Sequence, residues 1–129
     1  MSRGKVEGAK AGGGCLCGAV RYEIAGPLAP PSACHCVQCR RHQGALGIYT
    51  LAPEERYTIK GKRNLAWYES SHGIRRGFCR NCGSKLFWQR SGSDQLDVTL
   101  GSMDEPTGLK IEKHIYLADA GDYYDPPSR

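Results

Sequence analysis

Seven cysteines stand in three tight clusters, and no cysteine lies outside them. Cys15 and Cys17 form a C-x-C pair, Cys34, Cys36 and Cys39 a C-x-C-x-x-C run, and Cys79 and Cys82 a C-x-x-C pair. Spacings this short let neighbouring sulfurs converge on one ion, as tetrahedral thiolate sites require. Seven sulfurs are one short of two closed four-cysteine sites. The count therefore divides into one four-sulfur site and one three-sulfur site with an open position, and an open position distinguishes a catalytic zinc from a structural one.

The outer clusters suit the closed site. Each is followed by a glycine, Gly18 and Gly83, able to take the positive φ that a metal knuckle demands. A zinc on Cys15, Cys17, Cys79 and Cys82 would staple the start of the chain to its middle and contribute directly to folding. The middle cluster, Cys34, Cys36 and Cys39, would hold a second zinc, giving two Zn2+ per chain. Its fourth position is open to water, to an external thiol or to a protein side chain. His35 lies between two ligands and should point away from them, whereas His42 has the better reach. An open zinc site lowers the pKa of a thiol entering it, which then arrives as a nucleophile at neutral pH. Arg40 and Arg41, next to this cluster, are candidates to hold the carboxylate of an anionic thiol.

Purely structural zinc is the commoner use of clustered cysteines, so a non-catalytic, zinc-stabilised binding module for protein or nucleic acid is the alternative reading. A ribbon-like site pairing Cys36 and Cys39 with Cys79 and Cys82 is a further arrangement. Its 39 intervening residues exceed the roughly 15–20 usual in such motifs, and it leaves Cys15, Cys17 and Cys34 unexplained. A single-zinc protein whose middle thiols sense redox state or metal is a third.

The elements that must position these clusters read as short strands. Residues 18–24 alternate, with Val20, Tyr22 and Ile24 on one face. Further strands are expected at 45–51, 57–60, 65–69, 74–78, 85–89, 95–100 and 111–117, and 40–44 could form one helical turn. The third cluster then sits at a hairpin-like knuckle. Trp67 and Trp88 read as core residues, His72 as an exposed loop residue, His114 as a hydrogen-bonded strand histidine, and Lys85 as a solvated strand lysine. Asp94 and Asp97 suit turn and strand-edge positions and receive no role. The expected architecture is a single, mainly β, antiparallel domain with zinc-binding knuckles and little helix. It spans residues 12–125, between a flexible lead-in at 1–11 that continues into the glycine run 12–14 and a loosely held tail at 126–129 whose looseness extends back to Asp122.

Composition agrees. The 129 residues fit one domain, 40% of them hydrophobic, and 17 Gly with seven Pro favour turns over long helices. There is no apolar run of membrane-span length and no secretory h-region, so the expected address is cytoplasmic, where clustered thiols hold metal rather than form disulfides. The formal charge of +5 counts cysteine as neutral. Seven thiolates on two dications would lower it by three, to about +2, which makes nucleic acid an unlikely partner and a small-molecule thiol the favoured one.

Three ordered motifs carry a family resemblance. Gly14-Cys15-Leu16-Cys17-Gly18-Ala19-Val20-Arg21-Tyr22 looks like the opening motif of the glutathione-dependent formaldehyde-activating enzyme family, which includes centromere protein V. The run from Cys34 to Ala45 resembles its second motif and that from Phe78 to Phe87 its third, with a weaker fourth in Lys113-His114-Ile115-Tyr116. The similarity extends over about residues 12–125. It implies several coiled β-sheets and two zinc sites, with Cys15, Cys17, Cys79 and Cys82 matching the structural one and Cys34, Cys36 and Cys39 the catalytic one. It also implies a carbon–sulfur lyase activity, the condensation of formaldehyde with glutathione to S-hydroxymethylglutathione.

Overall fold

The computed structural model describes residues 10–127. Its ten strands form two open sheets. Strands β1 (Lys10–Gly14), β2 (Arg21–Ala25) and β5 (Tyr57–Lys60) make a three-stranded sheet in the order β1-β2-β5. The larger sheet holds β3 (Ser32–Cys34), β4 (Gly47–Pro53), β6 (Leu65–Ser71), β7 (Ile74–Cys79), β8 (Lys85–Arg90), β9 (Gln95–Thr99) and β10 (Lys113–Ile115). Their order is β10-β3-β4-β9-β8-β7-β6. All pairings between named strands are antiparallel except β10 with β3. One α-helix, α1 (Val37–Gln43), lies between β3 and β4. The mainly β, antiparallel expectation holds.

Strand alternation builds the core. In β2, Tyr22 and Ile24 are buried while Arg21 and Glu23 face solvent. In β9, Leu96 and Val98 turn inward to join Val20, Leu86 and Phe87, all at most 1% exposed. Phe87 is the hub. Tyr22 and Tyr57 meet it edge-on at 5.6 and 6.0 Å, and Trp67 stacks on it at 6.2 Å. These are favourable aromatic geometries that add to area burial.

Three local expectations are corrected. The glycine run 12–14 belongs to β1 rather than to a flexible lead-in, while residues 1–9 fall outside the described part. Glycine is needed there because backbones approach closely. A Cβ on Gly13 would lie 2.5 Å from the Ser102 carbonyl oxygen and 2.3 Å from the Tyr22 hydroxyl. Gly13→Ala is accordingly expected to cost about 1–3 kcal/mol, as overpacking does. That lowers the melting temperature by about 3–12 °C at this chain length, and a thermal melt monitored by circular dichroism would show it. Helix α1 starts earlier than the expected turn and spans two turns, because Cys36 caps it: its sulfur accepts the Cys39 N–H at 3.4 Å. Finally, the segment after Asp122 is tied down. The Tyr124 hydroxyl is hydrogen-bonded to His35 Nδ1, and Tyr123 donates to the Gly44 carbonyl at 3.4 Å. Residues 128–129 lie outside the described part.

Candidate metal centres and the adjoining cavity

Two groups of thiols gather in the fold, and none is disulfide-bonded. In the first, the turn between β1 and β2 presents Cys15 and Cys17, and the β7–β8 turn presents Cys79 and Cys82. Both turns close on their glycines, which adopt left-handed φ: Gly18 at 84° and Gly83 at 82°. Their N–H groups return to the carbonyls of Cys15 (3.1 Å) and Cys79 (2.7 Å). Ser84 couples the two turns by accepting the Leu16 N–H at 2.9 Å and contacting the Cys82 sulfur at 3.2 Å.

The donor set fits a tetrahedral metal. All four sulfurs lie within 4.8 Å of one another, with Cys15 to Cys17 at 3.7 Å and Cys17 to Cys79 at 3.8 Å. A tetrahedron with metal–sulfur bonds of about 2.3 Å has edges of about 3.8 Å. N–H donors also point at the sulfurs: Val20 to Cys15 at 3.2 Å, Asn81 backbone to Cys79 at 3.3 Å, and Asn81 Nδ2 to Cys17 at 3.2 Å. Such donors favour thiolate. The Asn81 amide lowers the Cys17 pKa, and the Ser84 hydroxyl, with backbone N–H groups, brings Cys82 down to about 5.

The second group comprises Cys34 at the end of β3, Cys36 capping α1 and Cys39 in its first turn, again within 4.8 Å. Cys39 is buried, and its pKa falls to about 6 through the Cys34 thiol and then the Arg76 guanidinium. Arg76, only 4% exposed, links three partners. Its Nη1 donates to Cys39 Sγ at 3.6 Å, its Nη2 to Gln38 at 3.4 Å, and its Nε to Ser70 at 3.0 Å.

The three sulfurs open into a cavity of about 610 Å³. Its floor is one face of the large sheet: Tyr49 and Leu51 of β4, Asp97 of β9, Trp88 and Arg90 of β8, and Ile74 and Arg76 of β7. Val37 and Gln38 of α1, with Ile115, Tyr116 and Asp119, complete the wall. Tyr116 holds an unusual left-handed backbone, φ 58°, at this rim.

Comparison with known proteins decides the kinship. A family profile described as glutathione-dependent formaldehyde-activating enzyme matches residues 10–119. The chain belongs to the glutathione-dependent formaldehyde-activating enzyme family. It is also similar to an uncharacterized lyase of Schizosaccharomyces pombe, with 24% identity over 120 residues covering 88% of this chain and 82% of that protein. A crystal structure of a Rhodobacter sphaeroides protein superposes with a TM-score of 0.65 and 27% identity, covering 80% of this chain and 98% of that one. Family and lyase relative together support a lyase-type enzyme. Among the described residues no helix is long and apolar enough to cross a membrane.

Within this member of the formaldehyde-activating family, the structure gathers the seven sequence-predicted cysteines as four and three. It does not bring Arg40 or Arg41 to the cavity. Both lie on α1, and neither lines the space that Arg76 and Arg90 line. His42 does not join the middle thiols; its ring meets Phe78 edge-on at 6.5 Å. His35 points away, as expected, its Nε2 3.0 Å from His114 Nδ1. His72 sits exposed in the β6–β7 turn. Trp88, read as a core residue, lines the cavity instead, whereas Trp67 does pack on the core. Lys85 is half-buried rather than solvated, donating to the Gly83 carbonyl at 3.0 Å.

Arg76, Arg90 and Asp97 are among the cavity residues that sequence reasoning missed. The signal for Arg76 was parity: in Ile74-Arg75-Arg76 it shares a face with Ile74, while Arg75 lies over Trp67 at 3.8 Å on the other face. For Asp97, alternation with Leu96 and Val98 identified the non-core face but not that α1 and the C-terminal segment cover it.

Proposed function

We propose that this chain is a zinc-dependent carbon–sulfur lyase in which Cys34, Cys36 and Cys39 hold a zinc with an open position. There a glutathione-like thiol is readied for addition to, or release from, an aldehyde-type carbon. One observation carries the reading: the three-sulfur group, unlike the four-sulfur group, faces a cavity large enough for a small peptide thiol and furnished with two arginines. The outer four cysteines are assigned a structural zinc. Zinc in the middle group would lower the pKa of an entering thiol. The role of holding the thiol's carboxylate passes from Arg40 and Arg41 to Arg76 and Arg90.

Charge supports the assignment. Three thiolates on a dication leave one net negative charge, and an incoming thiolate makes two. Arg76 and Arg90 supply two positive charges on the same wall. In a partly desolvated site such a balance is needed to avoid a large burial cost.

The test is zinc content followed by X-ray absorption with and without glutathione. Two zinc ions per chain are expected, and the mean sulfur coordination should rise from about 3.5 to about 4 when glutathione is added. Cys39→Ser should abolish that rise. Four protein ligands at both metals, unchanged by glutathione, would overturn the reading.

A further inference from the structure

Resting on that reading, we propose that Tyr116 selects the thiol: its ring packs against the peptide arms of a glutathione-like ligand at the mouth of the cavity. The placement follows from a break in strand alternation. Consecutive residues of β10 face opposite sides. His114 meets His35 at 3.0 Å on one side, while Ile115 pairs with Cys34 and both line the cavity on the other. A regular strand would return residue 116 to the His114 side. Instead Tyr116 turns into the left-handed region, φ 58° and ψ 40°, and lines the same cavity as Ile115. Hydrogen bonds hold this turn from both ends. The His35 N–H donates to the Ile115 carbonyl at 3.0 Å, and the Asp119 N–H to the Tyr116 carbonyl at 3.0 Å.

Tyr116 is poorly explained as a structural residue. Among the described residues it is the only non-glycine with positive φ. That conformation is uncommon for a bulky side chain, and glycine adopts it without steric cost. A turn alone therefore calls for glycine at this position. Packing does not compensate: the residue is 62% exposed, and its ring has no hydrogen-bond or aromatic partner among the described residues. Backbone strain of this kind gathers at ligand-binding sites, where it aims a side chain at what it holds. Tyrosine suits such a contact, because it offers a large, rigid, amphipathic surface at low entropic cost.

The position also matches a tripeptide. Tyr116 follows directly on the strand partner of Cys34, so its Cα lies within about 9 Å of the Cys34 Cα. The ring thus stands beside the sulfur end of the cavity. Arg90 stands on β8, four strand spacings from β10 in the sheet order, or about 19 Å. Two long side chains reaching inward leave a gap that a tripeptide, about 11 Å when extended, can bridge. A thiol whose sulfur sits at the middle cysteines and whose carboxylate reaches Arg90 can lay its other arm under Tyr116. A thiol without peptide arms reaches neither residue.

Calorimetric titration of the zinc-loaded protein with glutathione and with 2-mercaptoethanol, alongside thermal melts, tests this. Tyr116→Gly should weaken glutathione binding about 10-fold, as loss of an aromatic contact and its buried area does, and change 2-mercaptoethanol binding less than about twofold. The variant should keep both zinc ions. Its melting temperature should equal that of the wild type or exceed it by up to about 5 °C, since glycine relieves the left-handed backbone. Tyr116→Phe should retain the glutathione affinity, because the ring rather than the hydroxyl makes the contact. Unchanged glutathione affinity in Tyr116→Gly overturns the role of Tyr116, as does an equal loss for both thiols. A Tyr116→Gly melting temperature more than about 5 °C below the wild type also overturns it, by showing the ring to be a support of the fold. A wild type that binds neither thiol overturns the thiol reading itself.

Discussion

Cys79→Ser is expected to leave the protein with one metal per chain in place of two and largely unfolded at room temperature. The Cys79 sulfur is the most enclosed member of the outer group. Its residue has no exposed surface, it lies 3.8 Å from the Cys17 sulfur, and it accepts N–H groups from Asn81 (3.3 Å) and Cys82 (3.5 Å). Structural zinc contributes about 10–16 kcal/mol in small domains, whereas whole domains are stable by only about 5–15 kcal/mol. Losing one of four ligands in a buried site therefore consumes most of the margin. Metal analysis and near-ultraviolet circular dichroism check it, and retention of two metals with a melting point within about 5 °C of wild type would refute it. Cys39→Ser provides the contrast: one metal lost, the fold kept. The β3–α1 segment that carries the middle cysteines is independently held by the β3–β10 pair and by the hydrogen bonds of His35 to His114 and Tyr124.

Arg76→Ala is expected to lower the melting temperature by about 10–20 °C and weaken glutathione binding at least tenfold. The guanidinium joins Ser70 on β6 to Gln38 and Cys39 on α1, so its removal detaches the helix from the sheet and leaves the Cys39 thiolate without its positive partner. Breaking a buried charged contact from one side costs about 3–5 kcal/mol, and a chain of this size loses about 3–4 °C per kcal/mol. Arg76→Lys should recover only part of the stability, because one ammonium cannot reach three acceptors on two elements. Thermal melts and glutathione titrations of the two variants test this. Equal behaviour of Ala, Lys and wild type would show that the contact is incidental.

The gathering of the cysteines and their division into four and three were legible because short cysteine spacings leave few ways for sulfurs to meet. Most strands were legible from alternation in runs such as Val20-Arg21-Tyr22-Glu23-Ile24. Strand β1 was not, because its KAGGG sequence has no apolar side chains to alternate beyond Ala11. Its burial comes from partners far along the chain, Ser102 through Asp104. The cavity residues were hidden for a related reason. Alternation in β7, β8 and β9 shows which side chains share a face with Leu96 or Val98, but the opposite face is half-polar and reads as solvated. Only the long-range packing of α1 and the C-terminal segment turns Asp97, Trp88 and Arg76 into the floor of a site. Arg40 and Arg41 were favoured by nearness in sequence, but α1 directs the cavity wall through Val37 and Gln38 instead.

The parallel pairing of β10 with β3, together with the Tyr124–His35 contact, sets an order of assembly on the ribosome. The outer thiols are complete once Cys82 has emerged, and a metal can close that group while the rest of the chain is still being made. The middle cluster obtains its supports, His114 and Tyr124, only from residues that follow it by about eighty positions or more in the chain. Vectorial synthesis thus completes the outer four-thiol group before the middle three-thiol group has its supports.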